Sequence, residues 1–285
     1  MSDIPTLERP AFFDGQELPK EKRSDPRLAL ADWMVSKPEF AETAANRMWS
    51  FFFGRGIVDP VDDFRSTNPA THPELLKALA DDFRKNKFDL KHLIRQIVAS
   101  RTYQLSTTPN ASNKGDRGNY SRMLPRPLDG EVLLDAISHV TQVPEVFPTG
   151  MGGQAPTGTR AIQLKESDIY PSRFLEVHGR PRRQMVPQRD NNPNLLQALH
   201  RLAGQTYTEK LSSDGGRIDR LLKSDASDEK IIEEFYLAAF TRFPTQEEAG
   251  LLRIALGETA KKKPREAAVE DFVWAMLSAQ EFTHR

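Results

Sequence analysis

The 285-residue chain contains no cysteine. Disulfides, thiolate metal sites, cysteine nucleophiles and covalent haem attachment are therefore excluded together, while the redox compartment stays open. Long apolar runs are also missing. None exceeds six residues, as at Phe235–Phe240, and a membrane-spanning helix needs about 20. Net charge is absent as well, because 40 Lys and Arg balance 40 Asp and Glu and the pI is 7.0. That excludes a uniformly basic nucleic-acid binder but not a local patch. Met1–Pro10 offers neither a basic start nor an apolar stretch, so no targeting signal is read there. By itself this opening points to the cytoplasm, or to a piece of a longer protein with its signal upstream. Its polar, proline-punctuated course reads as a linker over residues 1–23.

What the chain does contain is a series of helix starts. Asp25-Pro26 pairs a cap with proline at the first helical position, before Ala29, Leu30, Trp33 and Met34. Ala44, Ala45, Met48, Trp49 and Phe52 mark a second helix, with Gly54 or Gly56 as its left-handed stop. Thr71-His72-Pro73-Glu74 reads as a capping box ahead of Leu75, Leu76, Leu79, Ala80 and Phe83. Asp89 caps a helix carrying Leu90, Leu93, Ile94, Ile97 and Val98, and Asp129 opens another with Leu133, Ile137 and Val140. Further on, Asn192-Pro193 precedes Leu195, Leu196, Leu199 and Leu202, and Ser227 begins a helix with Ile231, Ile232, Phe235 and Tyr236. Thr245 to Glu248 forms another box, leading into Leu251, Leu252 and Ala255, and a last helix starts near Pro264. The pattern predicts an all-α or mostly α fold, a multi-helix bundle of about ten helices.

Between Pro144 and Asn191 helical periodicity is lost, and Pro, Gly and Arg are frequent. This long irregular insertion holds two possible short strands, near Arg160–Leu164 and Phe174–Val177. The expected organisation is a linker (1–23), an N-terminal helical part (24–143), the insertion (144–191) and a C-terminal helical part (192–285). The two helical parts are expected to form one domain.

Several short blocks are distinctive in order and spacing. Asn46-Arg47-Met48-Trp49 is followed by Phe53-Gly54-Arg55-Gly56-Ile57-Val58, Asp62-Asp63-Phe64 and His72-Pro73-Glu74-Leu75-Leu76. Leu90-Lys91-His92-Leu93-Ile94 leads to Ser100-Arg101-Thr102-Tyr103-Gln104, and later come Arg126-Pro127-Leu128-Asp129-Gly130-Glu131 and Pro193-Asn194-Leu195-Leu196-Gln197-Ala198-Leu199. From about Arg27 to Phe282 the chain resembles the planctomycete-type domain-of-unknown-function family 1553. The resemblance implies a C-terminal part of large exported bacterial proteins, often accompanied by another uncharacterised domain or a cytochrome c-like one. It thus implies an extracytoplasmic setting, and partners that are upstream domains of the same protein system or a partner protein. Relatives often carry cysteine where this chain has Met185-Val186-Pro187, so thiol chemistry does not transfer. No catalytic residue is carried over from the resemblance.

Sites of chemistry are few. The six histidines, His72, His92, His139, His178, His200 and His284, form no His-Glu-x-x-His or His-x-His pattern, so no metal and no cofactor is expected. Paired carboxylates could hydrolyse a polysaccharide, and the weak candidates are Asp62, Asp63 and Glu131, with Asp135 one turn beyond Glu131. No Gly-x-Ser-x-Gly supports a serine nucleophile. Gly150-Met151-Gly152-Gly153 lacks the strand–helix frame of a nucleotide loop.

Arginine is more informative. Residues 160–190 carry net +3, and Arg173, Arg180, Arg182, Arg183 and Arg189 could hold an anionic glycan through bidentate guanidinium contacts. The plainer account is that they tie the loop to acidic helices. Residues 84–126 carry net +8 and residues 228–258 net −4. The helix pair within the basic stretch outlines a helix-turn-helix, but stacking aromatics are sparse and nucleic acid is an improbable partner. The leading expectation is a helical structural and interaction module rather than an enzyme. Hydrolysis and anionic-glycan binding stand as alternatives.

Overall fold

In the computed structural model the described residues are 12, 14–17, 25–181, 189 and 193–285. The fold among them is all-α, with no strand and with isolated bridges such as Pro127–His284 and Pro148–Gln154. Packing divides the chain into two compact units, one ending at Pro125 and one running from Arg126 to Arg285.

The first unit holds α1 (Pro26–Ser36), α2 (Pro38–Phe53), α3 (Pro73–Lys85) and α4 (Leu90–Ala99). α2 packs against the other three. Ala45, Trp49, Phe53, Leu76, Ala80, Phe83, Leu93 and Ile97 build the core. Asp25 and Asp89 cap α1 and α4 through their carboxylates, as expected. The box at Thr71 does not form. Thr71 donates both its amide and its hydroxyl to the Ile57 carbonyl, at 2.9 and 3.0 Å, and His72 becomes the cap. Of the opening stretch read as a linker, Phe12 stacks on Trp33 at 5.3 Å and Asp14 accepts from Trp33 Nε1 at 2.9 Å.

The Asn46–Val58 block owes its composition to one buried amide. Asn46 is fully buried in α2. Its Nδ2 donates to the Val58 and Val61 carbonyls at 2.9 and 2.7 Å, and its Oδ1 accepts from the Val58 amide at 3.0 Å. The turn after α2 is thereby folded back onto the helix. Gly54 takes the left-handed stop at φ 76°. A side chain at Gly56 would stand 2.2 Å from the Val58 carbonyl and 2.9 Å from Asn46 Nδ2, so only glycine fits. Tyr120 closes the other side, donating to the Gly56 carbonyl at 2.7 Å with its ring edge on Trp49 and Phe53.

In the second unit α5 (Gly130–Thr141) is central. The residue pattern groups it with the N-terminal helices, but it packs on α6 (Arg173–Val177), α8 (Gln205–Leu211), α9 (Arg217–Lys223) and α10 (Asp228–Phe240). α7 (Leu195–Ala203), α11 (Gln246–Ala260), α12 (Arg265–Ser278) and α13 (Gln280–Thr283) complete the unit. Leu134, Ile137, Leu175, Ile231, Phe235, Val269, Val273 and Leu277 are its innermost apolar side chains. Its two ends meet where Arg126 and Arg285 exchange backbone hydrogen bonds of 2.9 and 2.8 Å. Two cations meet carbonyls in the last turn of α5 and just beyond it. Arg217 Nε donates to Val140 at 2.7 Å, and Lys210 Nζ donates to Val143 at 2.8 Å.

The strands expected near Arg160–Leu164 and Phe174–Val177 are not formed. Ala161–Gln163 is a 3-10 turn anchored by Asp135, which accepts from the Ala161 amide at 2.6 Å, and Phe174 and Leu175 are buried in α6. Short apolar runs do not separate strand from helix, and here the Ser172 hydroxyl accepts from the Leu175 amide and starts a helix instead.

Candidate functional site

Glu131 lies in the first turn of α5, where a carboxylate meets the positive end of the helix dipole. Its side chain is mostly buried and faces two of the arginines read as anion binders. Arg189 donates to it from both terminal nitrogens, at 2.7 and 3.2 Å, and approaches Asp129 at 3.8 Å. Arg180 Nε lies 3.7 Å from Glu131, with its own side chain 7% exposed. The Arg180 fork also reaches the Tyr170 and Leu164 carbonyls, both at 3.4 Å. Burial lowers the Arg180 pKa, and Glu131 opposes that shift. One carboxylate therefore holds the chain at both Arg180 and Arg189. Arg173 is exposed and lies 3.9 Å from Glu176. Arg182 and Arg183 lie outside the described residues.

Each of the three weak catalytic candidates pairs with an arginine. Asp62 and Asp63 belong to the first unit and Glu131 to the second. Asp62 receives both arms of Arg47 at 2.8 Å, and both side chains are 60% exposed. Asp63 is held by Arg65 at 2.6 Å, which keeps its pKa below the usual carboxylate range. Glu131 is neutralised as described. Asp135 does share a recess of about 320 Å3 with Glu145, His139 and Arg160. It is spent on the Ala161 amide, and Glu145 is spent on Lys210 at 3.0 Å. Arg180 borders a shallow recess of about 180 Å3 whose rim includes Asp168 and Glu176, an acidic lining that disfavours an anion. Among the described residues no cluster of three His, Asp or Glu could hold a metal ion.

The surface that stands out is α7. Leu195, Leu196, Leu199 and Leu202 have the spacing of a core-facing stripe, yet they are 51–73% exposed and the helix buries none of its residues. The helix is docked by its polar side. Gln197 Nε2 donates to the Val177 carbonyl at 3.2 Å, His200 Nε2 hydrogen-bonds Thr206 Oγ1 at 3.3 Å, and Trp274 Nε1 donates to the Arg201 carbonyl at 2.9 Å. Beneath it the rings are piled together. His178 stacks on Phe174 at 4.1 Å, His200 meets Phe174 edge-on at 5.4 Å, and the two imidazoles are 6.3 Å apart. His178 Nδ1 donates to the Phe174 carbonyl at 2.8 Å. Burial lowers the pKa of both histidines, Arg201 adds to the shift at His178 and Arg173 to that at His200, and burial pushes Tyr207 up to about 12. Sequence reading missed this inversion. Its one trace is the triplet Gln197, His200, Arg201 at i, i+3, i+4, opposite the leucines.

The fold and these contacts define an all-α protein of two helical units in which Arg180 and Arg189 pair with Glu131 and a leucine-bearing helix is turned outward. A model of a protein family of unknown function (DUF1553) matches residues 26–256, and the chain belongs to that family. No curated protein and no solved structure matches the chain.

Proposed function

We propose that the chain is a helical structural and interaction module of a larger exported bacterial protein system, working outside the cytoplasm, and that α7 is its docking element. The observation that carries this reading is the outward leucine stripe of α7. Four leucines on one helical face are a contiguous apolar surface, the kind that a folded protein keeps for another polypeptide. The recognition mode is apolar helix packing, with i, i+3, i+4, i+7 anchors. The occupant is an upstream domain or partner protein of that system. Support also comes from what the ionisable groups are doing, since Asp62, Asp63, Glu131, Arg180 and Arg189 each hold another part of the chain. No helix among the described residues is long and apolar enough to cross a membrane.

The absence of cysteine makes the test direct. Leu199→Cys, carrying a photo-cross-linker and expressed in the native cell, is expected to give one adduct with an identified polypeptide. Leu195→Asp with Leu202→Asp in the same chain is expected to abolish it. No adduct, or an adduct indifferent to the leucines, overturns the reading. So does turnover of a glycan or ester by the purified chain that is lost in Glu131→Gln or Asp62→Asn.

A further inference from the structure

α7 exposes its leucines because something other than leucine holds it down, and that attachment includes a pile of titratable rings. Three of the six histidines cluster around this attachment. His178 and His200 form the pile with Phe174, and the field of Arg201 reaches both His178 and His284. We propose that this pile is an acid-labile latch: α7 stays docked while His178 and His200 are uncharged and is released when they take up protons. The proposal rests on the reading of α7 as the docking element and supplies its regulation.

The argument is one of missing counter-charge. Gly130 of α5 lies directly against His178, so closely that a Cβ there would be 2.8 Å from the His178 Cβ, and it offers no charge. Asp129 beside it is engaged by Arg189 at 3.8 Å, and Glu131 by Arg189 and Arg180. α6 contributes Arg173, whose charge opposes protonation of His200, and Glu176, which lies 3.9 Å from Arg173. α7 itself contributes Arg201, and α8 contributes Tyr207, a neutral phenol at physiological pH. α12 contributes Trp274, and the C-terminal end contributes His284, a third group that gains positive charge in acid. Among the described residues, two imidazolium rings about 6 Å apart would therefore join Arg173 and Arg201 without a carboxylate assigned to receive them. The Nδ1–H bond from His178 to the Phe174 carbonyl survives protonation, but burial, with His200 and Arg201, outweighs it.

The direction follows from linkage. Both folded-state pKa values lie below the ordinary value of 6.5. The released state thus binds more protons, so the contribution to docking is complete at neutral pH. It begins to fall as the pH drops below about 6.5 and is gone below the folded values.

Hydrogen exchange on the full chain, corrected for the intrinsic pH dependence of exchange, tests this. Between about pH 7.5 and about pH 5.5, protection of the α7 amides is expected to fall at least tenfold while that of α10 holds. In His200→Gln, and more fully in His178→Gln with His200→Gln, the acid-induced fall is expected to shrink to under threefold. As a second measurement, the ring protons of His178 and His200 are expected to titrate with midpoints below 6.5. Unchanged α7 protection, a parallel loss in α10, the same fall in the glutamine variants, or midpoints at or above 6.5 each overturn the latch. The cross-linking test is run at neutral pH, so a failed latch leaves the docking reading standing. A failed cross-link leaves the acid response measurable on its own.

Discussion

Arg189 donates two hydrogen bonds, of 2.7 and 3.2 Å, to Glu131, a residue 58 positions earlier in the chain. With Arg180 approaching the same carboxylate at 3.7 Å, the start of α5 is tied to the far side of the arginine-rich stretch. Two of the five arginines anticipated for an anionic ligand, Arg180 and Arg189, thus also serve inside the fold. An Arg–carboxylate pair this far out of water is costly to break from one side, because the remaining charge loses its partner. Glu131→Gln is expected to lower unfolding stability by about 3 kcal/mol. Denaturant unfolding measures this, and a change within about 0.5 kcal/mol would count against the anchor.

The same reasoning applies, without charge, to Asn46. Its amide satisfies two carbonyls and one backbone amide in a region closed to water. Asn46→Ala leaves all three without their partner, at a cost of about 1–3 kcal/mol per buried group less what relaxation recovers. A loss of about 3 kcal/mol is expected. Asn46→Asp should be no better, because a carboxylate cannot donate to Val58 and Val61. Equal stability of Asn46→Asp and the parent chain in chemical denaturation would refute the staple.

Helix starts written in side chains were legible from sequence. Asp25, Asp89, Ser227 and Thr245 each cap through their own oxygen, so the residue type carries the signal. α8 and α9 were not anticipated. Each starts at a glycine, Gly204 or Gly216, that makes no side-chain cap, and each has only seven residues, too few to show a period. Thr71 looks like a cap locally but is claimed by the Ile57 carbonyl 14 positions away, which no local pattern contains. Glu131, Arg180 and Arg189 were each identifiable, yet their mutual neutralisation arises only where α5 meets the loop. α7 shows the limit most clearly. Periodicity reports that one face is apolar, but not which face the molecule covers.

Gly130 makes a test of packing against propensity. As the first residue of α5 it would gain from alanine on helix propensity alone, by up to about 1 kcal/mol. The added Cβ would lie 2.8 Å from the His178 Cβ, closer than two carbons can approach. The expected result for Gly130→Ala is a net loss of about 1–3 kcal/mol by thermal or chemical unfolding. A stabilised variant would mean that His178 is free to move away.

The last prediction separates a core leucine from a docking leucine. Leu175 and Leu199 both sit in amphipathic contexts, but Leu175 is fully buried in α6 whereas Leu199 is about half exposed on α7. A carboxylate at a buried site must be desolvated without a partner, so Leu175→Asp is expected to prevent stable folding. At Leu199 the carboxylate stays in water, and Leu199→Asp should change unfolding stability by no more than about 0.5 kcal/mol. It should also raise solubility, because it interrupts the leucine stripe. Circular dichroism melts of the two variants, run beside the parent chain, decide the matter. If Leu199→Asp unfolds as readily as Leu175→Asp, the stripe belongs to the core and the outward orientation of α7 is wrong.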